Sequence, residues 1–339
     1  MDKEQFITDF ACLGDLLRRY LFGQKGLAEL DNAIKQSVEA NPWFTDYHIK
    51  ERLAAIAYDY LSAQKLGVWL ANYPDVWYGF QRDITVVMAG NVPLVGFHDY
   101  LSVLASGRTV SVKSSSKDPL LLPALHDLLC SFAPEWRSKA RFVPEVPFDT
   151  DGLIATGSHA TAAWFGARYP HLPKVVRGHR VSAAIVPIEI TEEQIAALHK
   201  DMFLFFGLGC RSVVRLFVPE NFDLSRLTDL ERLPKEASHP RFQNAYRRQK
   251  ALLSLHNTPF VDGGFFLLQE VDEWHPPVAT VYYTYYHSLC KAWNCLETNA
   301  SQIQCVVGNF AGSKKCITFG SVQRPSLCDY ADGIDTMRL

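Results

Sequence analysis

The fold turns on DITVVMAGNVPLVGFHDYLSVLASGRTVSVKSSS, residues 83–116. ITVVMAG (84–90) is a short apolar run ending in glycine, the pattern of a buried parallel strand. PLVGFHDYLSVLASG (93–107) has helical period and stops at Gly107. TVSVKSS (109–115) is the next strand, with Lys113 near its end. The alternation continues through PLLLPALHDLLCSF (119–132), RFVPEVP (141–147), GLIATGS (152–158) and HATAAWFGARY (159–169). KVVRGHRVSAAIVP (174–187) reads as one further strand. Strand–helix–strand alternation at this spacing predicts a doubly wound parallel sheet.

Outward from that segment the pattern changes. Residues 1–80 read mostly as helix, with apolar residues three and four apart in LGDLLRRYLFG (13–23) and in the run 49–73. TEEQIAALHKDMFLF (191–205) opens with Thr191 followed by Gln194, a helix-start signature. VVRLFVP (213–219), GGFFLLQEV (263–271) and VATVYYTYY (278–286) read as strands, and 220–250 as loops with a surface helix. The expected divisions are a helical region 1–80, a nucleotide-binding domain 81–190, a catalytic domain 191–317 and a tail 318–339.

Composition narrows the class. The chain has 339 residues, 48% hydrophobic and 21% charged, so it can bury a sizeable core. Net charge is −2 with no basic stripe, which argues against a nucleic-acid partner. MDKEQFITDF lacks a signal-peptide pattern, and LLLPALHDLLCSF is interrupted by Pro123, His126 and Asp127. No membrane span is expected, and a cytoplasmic location is. The eight cysteines form no CxxC pair and match no zinc spacing, so reduced thiols and no metal are expected.

Several stretches have the residue types that chemistry needs. GLGCRS (207–212) lacks the third glycine of a dinucleotide fingerprint and leads into a strand, not out of one. Gly207 and Gly209 permit unusual backbone angles around Cys210, which is either a nucleophile or a buried loop thiol. Asn91 in GNVP lies at the carboxyl end of a strand, where it can donate to an oxyanion or serve as a turn residue. Lys113 and the serines after it, Ser116 included, can hold a ribose or phosphate oxygen, or form a solvated strand end. Thr156-Gly157-Ser158 opens a helix and offers backbone N–H groups to an anion, with Ser158 also fit to cap that helix.

Together these stretches resemble the aldehyde dehydrogenase superfamily and, within it, the LuxC-type fatty acyl-CoA reductases of bacterial luminescence systems and their relatives. The resemblance covers 80–339 and includes the tail FGSVQRPSLCDYADGIDTMRL. It implies an aldehyde dehydrogenase-like α/β fold: a doubly wound nucleotide-binding domain plus a second α/β catalytic domain. AGNVP resembles the family's Trp-Asn-Phe-Pro region, which implies Asn91 as the oxyanion amide. VSVKSSS implies Lys113 on the adenosine ribose or phosphate. Thr156-Gly157-Ser158 resembles the Thr-Gly-Ser turn. Phe203, Gly207 and Cys210 match F-x-x-x-G-x-x-C, which implies Cys210 as nucleophile. EWHPPV resembles Glu-x-x-Gly-Pro-Val, which implies Glu273 on the nicotinamide ribose, although Pro276 replaces the glycine.

Val176 stands where aldehyde-oxidising members carry the glutamate that activates water. Its loss fits a CoA-linked reductase, since a thioester brings its own leaving group. The resemblance therefore implies reduction of an acyl-CoA to the aldehyde through a Cys210 thioester. Ser116, where many NAD-preferring relatives have glutamate, favours NADPH, with NADH as the alternative. His179 is a candidate proton donor. FFLL and VYYTYY suggest an apolar lining for a long acyl chain, or simply core. A homo-oligomer and an acyl-transferring protein partner are further expectations, with the tail as an oligomerisation segment. The rival readings are an acyl-phosphate reductase using the same cysteine and a non-catalytic nucleotide- or protein-binding relative.

Overall fold

The computed structural model describes residues 2–24, 26–74, 82–228, 233–309 and 316–339. By contacts the chain forms two compact units, Met1–His179 with Arg324–Leu339, and Arg180–Gln323.

The first unit opens with helices α1 (Lys3–Leu21), α2 (Ala28–Ala40), α3 (Asp46–Ala55) and α4 (Ala63–Ala71). Phe6, Phe10, Leu13 and Leu17 are spaced four, three and four apart, so α1 buries one face. Asp2, Thr45 and Ser62 cap α1, α3 and α4 by accepting from backbone N–H groups three residues on. A π-helical turn, Ile56–Tyr60, extends α3.

The alternating segment follows as β1 (Asp83–Val87), α5 (Phe97–Ala105), β2 (Thr109–Lys113), α6 (Leu121–Phe132), β3 (Ala140–Phe142), β4 (Gly152–Thr156), α7 (His159–Arg168) and β5 (Lys174–Arg177). The strands form one parallel five-stranded sheet in the order β3-β2-β1-β4-β5. Val86 of β1 is in register with Val112 on one side and Ile154 on the other. The N-terminal helices and this sheet share one core, in which Phe6, Phe10 and Leu53 pack with Val86, Val110 and Ile154. Leu327 and Met337 of the tail are buried in the same core.

The second unit holds β6 (Val181–Ile185), α8 (Glu192–Phe203), β7 (Val213–Pro219), α9 (Ser225–Thr228), α10 (Pro240–Leu255), β8 (Val261–Asp262), β9 (Leu267–Glu270), β10 (Thr280–Tyr286), α11 (Leu289–Thr298), β11 (Ile303–Val307) and β12 (Cys316–Ile317). Its seven strands run β12-β11-β6-β7-β10-β9-β8, parallel except for the β8–β9 pair. Helix α8 starts with the expected capping box, Thr191 and Gln194 each accepting from the other's backbone N–H.

KVVRGHRVSAAIVP is not one strand. Lys174–Arg177 pairs with β4, and Val181–Ile185 pairs with β7 and β11 in the other sheet. The first half ends at Arg177, whose buried guanidinium donates to Asp99 of α5 at 2.6 Å, and Gly178, His179 and Arg180 separate it from the second.

Candidate functional site

Strand order reverses at β1 and β4, which places the crevice of a doubly wound sheet at their carboxyl ends. Three predicted stretches leave neighbouring strands at this edge. Gly90 and half-buried Asn91 follow β1, half-buried Lys113 closes β2 with exposed Ser116 beyond it, and Thr156 closes β4 ahead of Gly157 and Ser158.

The exits of β1 and β2 are in contact. A Cβ on Gly90 would lie 2.5 Å from Ser115 Oγ and 2.8 Å from Lys117 Cβ, so only glycine fits. The turn after Asn91 is anchored by the Leu94 N–H, which donates to Asp118 Oδ2 at 2.8 Å. Leu94, not Asn91, takes the left-handed conformation, at φ 53°. Burial pushes the Asp118 carboxyl up to about 6, against the opposing pull of its bonds from the Leu94 and Leu121 N–H groups. On β4, the Gly157 N–H donates to the Arg177 carbonyl at 3.1 Å. Ser158 is the N-cap of α7, accepting from the Thr161 N–H at 3.2 Å.

In the second unit, α8 stops at Phe203 and a tight turn leads to Cys210. Phe205 and Phe206 are left-handed at φ 60° and 59°, followed by Gly207 at 72°. Two bulky residues there cost about 1–2 kcal/mol each. Packing compensates: Phe206 lies 4.6 Å from the His239 ring and 5.8 Å from Phe242, centroid to centroid. The positive-φ freedom expected of both glycines is used by Gly207 alone.

Cys210 is a half-buried thiol outside any disulfide. Its carbonyl accepts from Ser182 Oγ of β6 at 3.0 Å, and Cys305 Sγ of β11 lies 2.9 Å from the same hydroxyl. The hydroxyl's one proton goes to the carbonyl, so the Cys305 thiol is the donor to Ser182 Oγ.

Exposed Glu273 is held through its main chain. Its carbonyl accepts from Arg215 Nη1 at 2.6 Å. Arg215 lies in β7 and is fully buried; it also donates to Asp272 Oδ1 at 2.7 Å, to Thr284 Oγ1 at 2.6 Å and to the Val271 carbonyl. Its guanidinium lies 5.2 Å from the Trp274 ring centroid. Burial lowers its pKa, and Asp272 opposes that shift. Neither Ser182 nor Arg215 has a sequence signal, since their partners lie far along the chain.

Half-buried Val176 packs against Val87, Leu153, Ala155 and Phe165, an apolar cluster. His179 is exposed. The FFLL run is core: Phe265 and Phe266 stand 4.9 and 4.8 Å from the Phe203 ring. Tyr282 and Tyr283 are buried as well, and Tyr285 and Tyr286 are half-buried. A cavity of about 390 Å³ lined by Asp59, Lys65, Val68, Trp69, Arg324 and Leu327 touches none of the predicted site residues. Among the described residues, no helix is long and apolar enough to cross a membrane, and no three His, Cys, Asp or Glu side chains form a metal cluster.

The acyl-CoA reductase (LuxC) family model matches residues 81–233, which include Asn91, Lys113, Thr156-Gly157-Ser158 and Cys210. The match covers less than half of the chain. The LuxC match ends before Glu273. Among solved structures, the NAD+ complex of aldehyde dehydrogenase from Bacillus cereus is similar at 15% identity over 87% of this chain and 69% of that one, with TM-score 0.63. A mutant form of the Bacillus cereus enzyme gives 14% identity over 94% and 76%, with TM-score 0.67. An aldehyde dehydrogenase from Mycobacterium tuberculosis complexed with NAD+ gives 17% over 87% and 71%, with TM-score 0.63. The LuxC stretch is thus part of a chain with the aldehyde dehydrogenase fold. A search of the curated proteins finds no match.

Proposed function

We propose that this protein reduces an acyl-CoA thioester to the aldehyde, with NADPH as reductant and Cys210 as nucleophile. One observation carries the reading: within the LuxC-matched stretch, a half-buried thiol stands on a loop that follows a strained left-handed turn. Strain of this kind persists only where the surroundings over-determine it, and it clusters at active sites.

The edge residues fit a dinucleotide. Gly90 lets the β1 and β2 exits close up, and α7 presents its first N–H groups beside Gly157. Lys113 and Ser116 would hold the adenosine ribose and its phosphate, Thr156-Gly157-Ser158 would support the cofactor, and Glu273 would hold the nicotinamide ribose. Bound there, the nicotinamide supplies the two electrons and the hydrogen that bring the acyl carbon to the aldehyde level.

The Cys210 thiolate attacks the acyl carbon, the bond to CoA sulfur breaks, and CoA leaves as thiolate. The Asn91 amide and the Cys210 N–H would be the donors to the oxyanion, each worth about 10²–10³ in rate. After reduction the carbon–Cys210 bond breaks, releasing aldehyde and restoring the thiolate. Val176, in its apolar cluster, leaves the thioester without a base to drive hydrolysis. A protein that delivers acyl groups and self-association into a homo-oligomer belong to the same reading.

The test is NADPH oxidation by the purified protein with acyl-CoAs from short to long, beside Cys210→Ala. Aldehyde and free CoA appearing together, with the wild type only, supports the reading and gives the chain preference. Absence of turnover with every acyl-CoA, NADH included, overturns it.

A further inference from the structure

Asp201 is the feature of the second unit that the proposed chemistry leaves unused. It lies on α8 and is only 1% exposed. A buried carboxylate is costly unless hydrogen-bonded. Its two oxygens accept from the Gly320 N–H at 2.6 Å and the Val322 N–H at 3.2 Å, groups 119 and 121 residues away. Gly320 has φ +83°, and an added Cβ would lie 3.1 Å from Ala197 Cβ, so the segment lies directly against α8.

The same segment grips the thiol loop. Arg211 Nη1 donates to the Val322 carbonyl at 3.3 Å, and Gln323 Nε2 donates to Ser212 Oγ at 3.3 Å. Arg211 and Ser212 are the two residues after Cys210. Ser212 and Gln323 are buried, so their bond is shielded from competing water, whereas half-buried Arg211 makes the more open of the two bonds. Ser182 holds the Cys210 carbonyl from the other side. The loop 210–212 is therefore fixed from β6 and from the strap 320–323, and the strap is fixed by Asp201.

We propose that Asp201 is a positioning residue for Cys210, acting through the strap Gly320–Gln323. The inference rests on the reading of Cys210 as nucleophile only for its catalytic consequence. The contacts predict the ordering of the loop by themselves.

The test is hydrogen–deuterium exchange of the full chain without ligand, comparing wild type, Asp201→Asn and Gln323→Ala. The expected result is exchange about tenfold faster across 208–212 in both variants, with β6 and β7 unchanged. Alkylation by iodoacetamide, followed peptide by peptide, should change at least about threefold at Cys210 but not at exposed Cys12, whereas general destabilisation would move both. In turnover, kcat should fall with KM unchanged. Faster exchange in 318–323 with 208–212 as in wild type would overturn the proposal. Should Asp201→Asn fail to fold, Gln323→Ala alone decides, since it removes the strap's grip on Ser212 and leaves Asp201 in place. Exchange and alkylation need no substrate, so a failed acyl-CoA assay would not affect them.

Discussion

Gly90→Ala tests the crevice at the carboxyl edge of the first sheet. The added methyl would meet Ser115 Oγ at 2.5 Å, Ser115 Cβ at 2.7 Å and Lys117 Cβ at 2.8 Å. Two of these are Cβ atoms, which move only with their backbone, so the loop after β2 must shift. Overpacking of this kind costs about 1–3 kcal/mol, and three close contacts argue for about 2. For a unit of this size each kcal/mol lowers the melting temperature by about 2–4 °C, so thermal unfolding should begin about 4–8 °C earlier. Ser115→Gly removes two of the three contacts but also the acceptor of the Lys117 N–H, at 3.2 Å, for a loss of about 1 kcal/mol. The double variant should be more stable than the summed single costs by at least about 1 kcal/mol. NADPH affinity, read by fluorescence quenching, should fall about tenfold in Gly90→Ala, equivalent to about 1.4 kcal/mol, because Lys113 and Ser116 shift with the loop. If the two single costs simply add, the contact between the β1 and β2 exits is not what requires glycine.

Gly207→Ala places a side chain at φ +72° after two left-handed phenylalanines and should cost about 1–2 kcal/mol by urea midpoint; an unchanged midpoint would mean that the turn is not strained. Arg215→Met should cost about 3 kcal/mol, because it removes the fully buried guanidinium from the Val271 and Glu273 carbonyls and from Thr284 Oγ1, whereas Asp272→Asn should cost under about 1 kcal/mol because Asp272 is 85% exposed. Equal costs in chemical denaturation would refute that asymmetry. Burial raises the Asp201 carboxyl from 3.8 to about 7, opposed by the Gly320 and Val322 N–H groups and by Lys200. A raised carboxyl binds its proton more tightly in the folded state, so its contribution is full at acid pH and is lost as pH rises from about 3.8 to about 7. The melting temperature of Asp201→Asn relative to wild type should therefore climb across that window and level off above it, and a constant difference would refute the assignment.

The β1–α5–β2 segment was legible because each of its signals is local: a closed apolar run, a helical period and a glycine stop. The edge residues were legible for a related reason. In a parallel sheet every carboxyl end faces the same side, so finding the strands locates Asn91, Lys113 and Thr156. Where tertiary contacts override local pattern, the sequence misled. KVVRGHRVSAAIVP reads as continuous across the polar Arg-Gly-His-Arg at 177–180, where the first strand ends; its last residue, Arg177, forms a buried pair with Asp99 of α5. The helical pattern of DMFLFF likewise runs past the end of α8. Phenylalanine is among the last residues expected at φ near +60°, and it is held there by His239 and Phe242, more than thirty residues downstream. FFLL suggested a lining for an acyl chain or core because apolarity alone does not separate a tunnel wall from a core; the structure adds that Phe265 and Phe266 pack on the Phe203 ring. The residues that hold the site share one property. Ser182, Arg215 and Asp201 reach their partners across 28, 57 and 121 residues, beyond any spacing rule. Chemistry-bearing residues are constrained by what they must touch in a substrate, and that leaves a short motif. A supporting residue is constrained only by what the fold brings beside it, so it becomes visible when the fold is known.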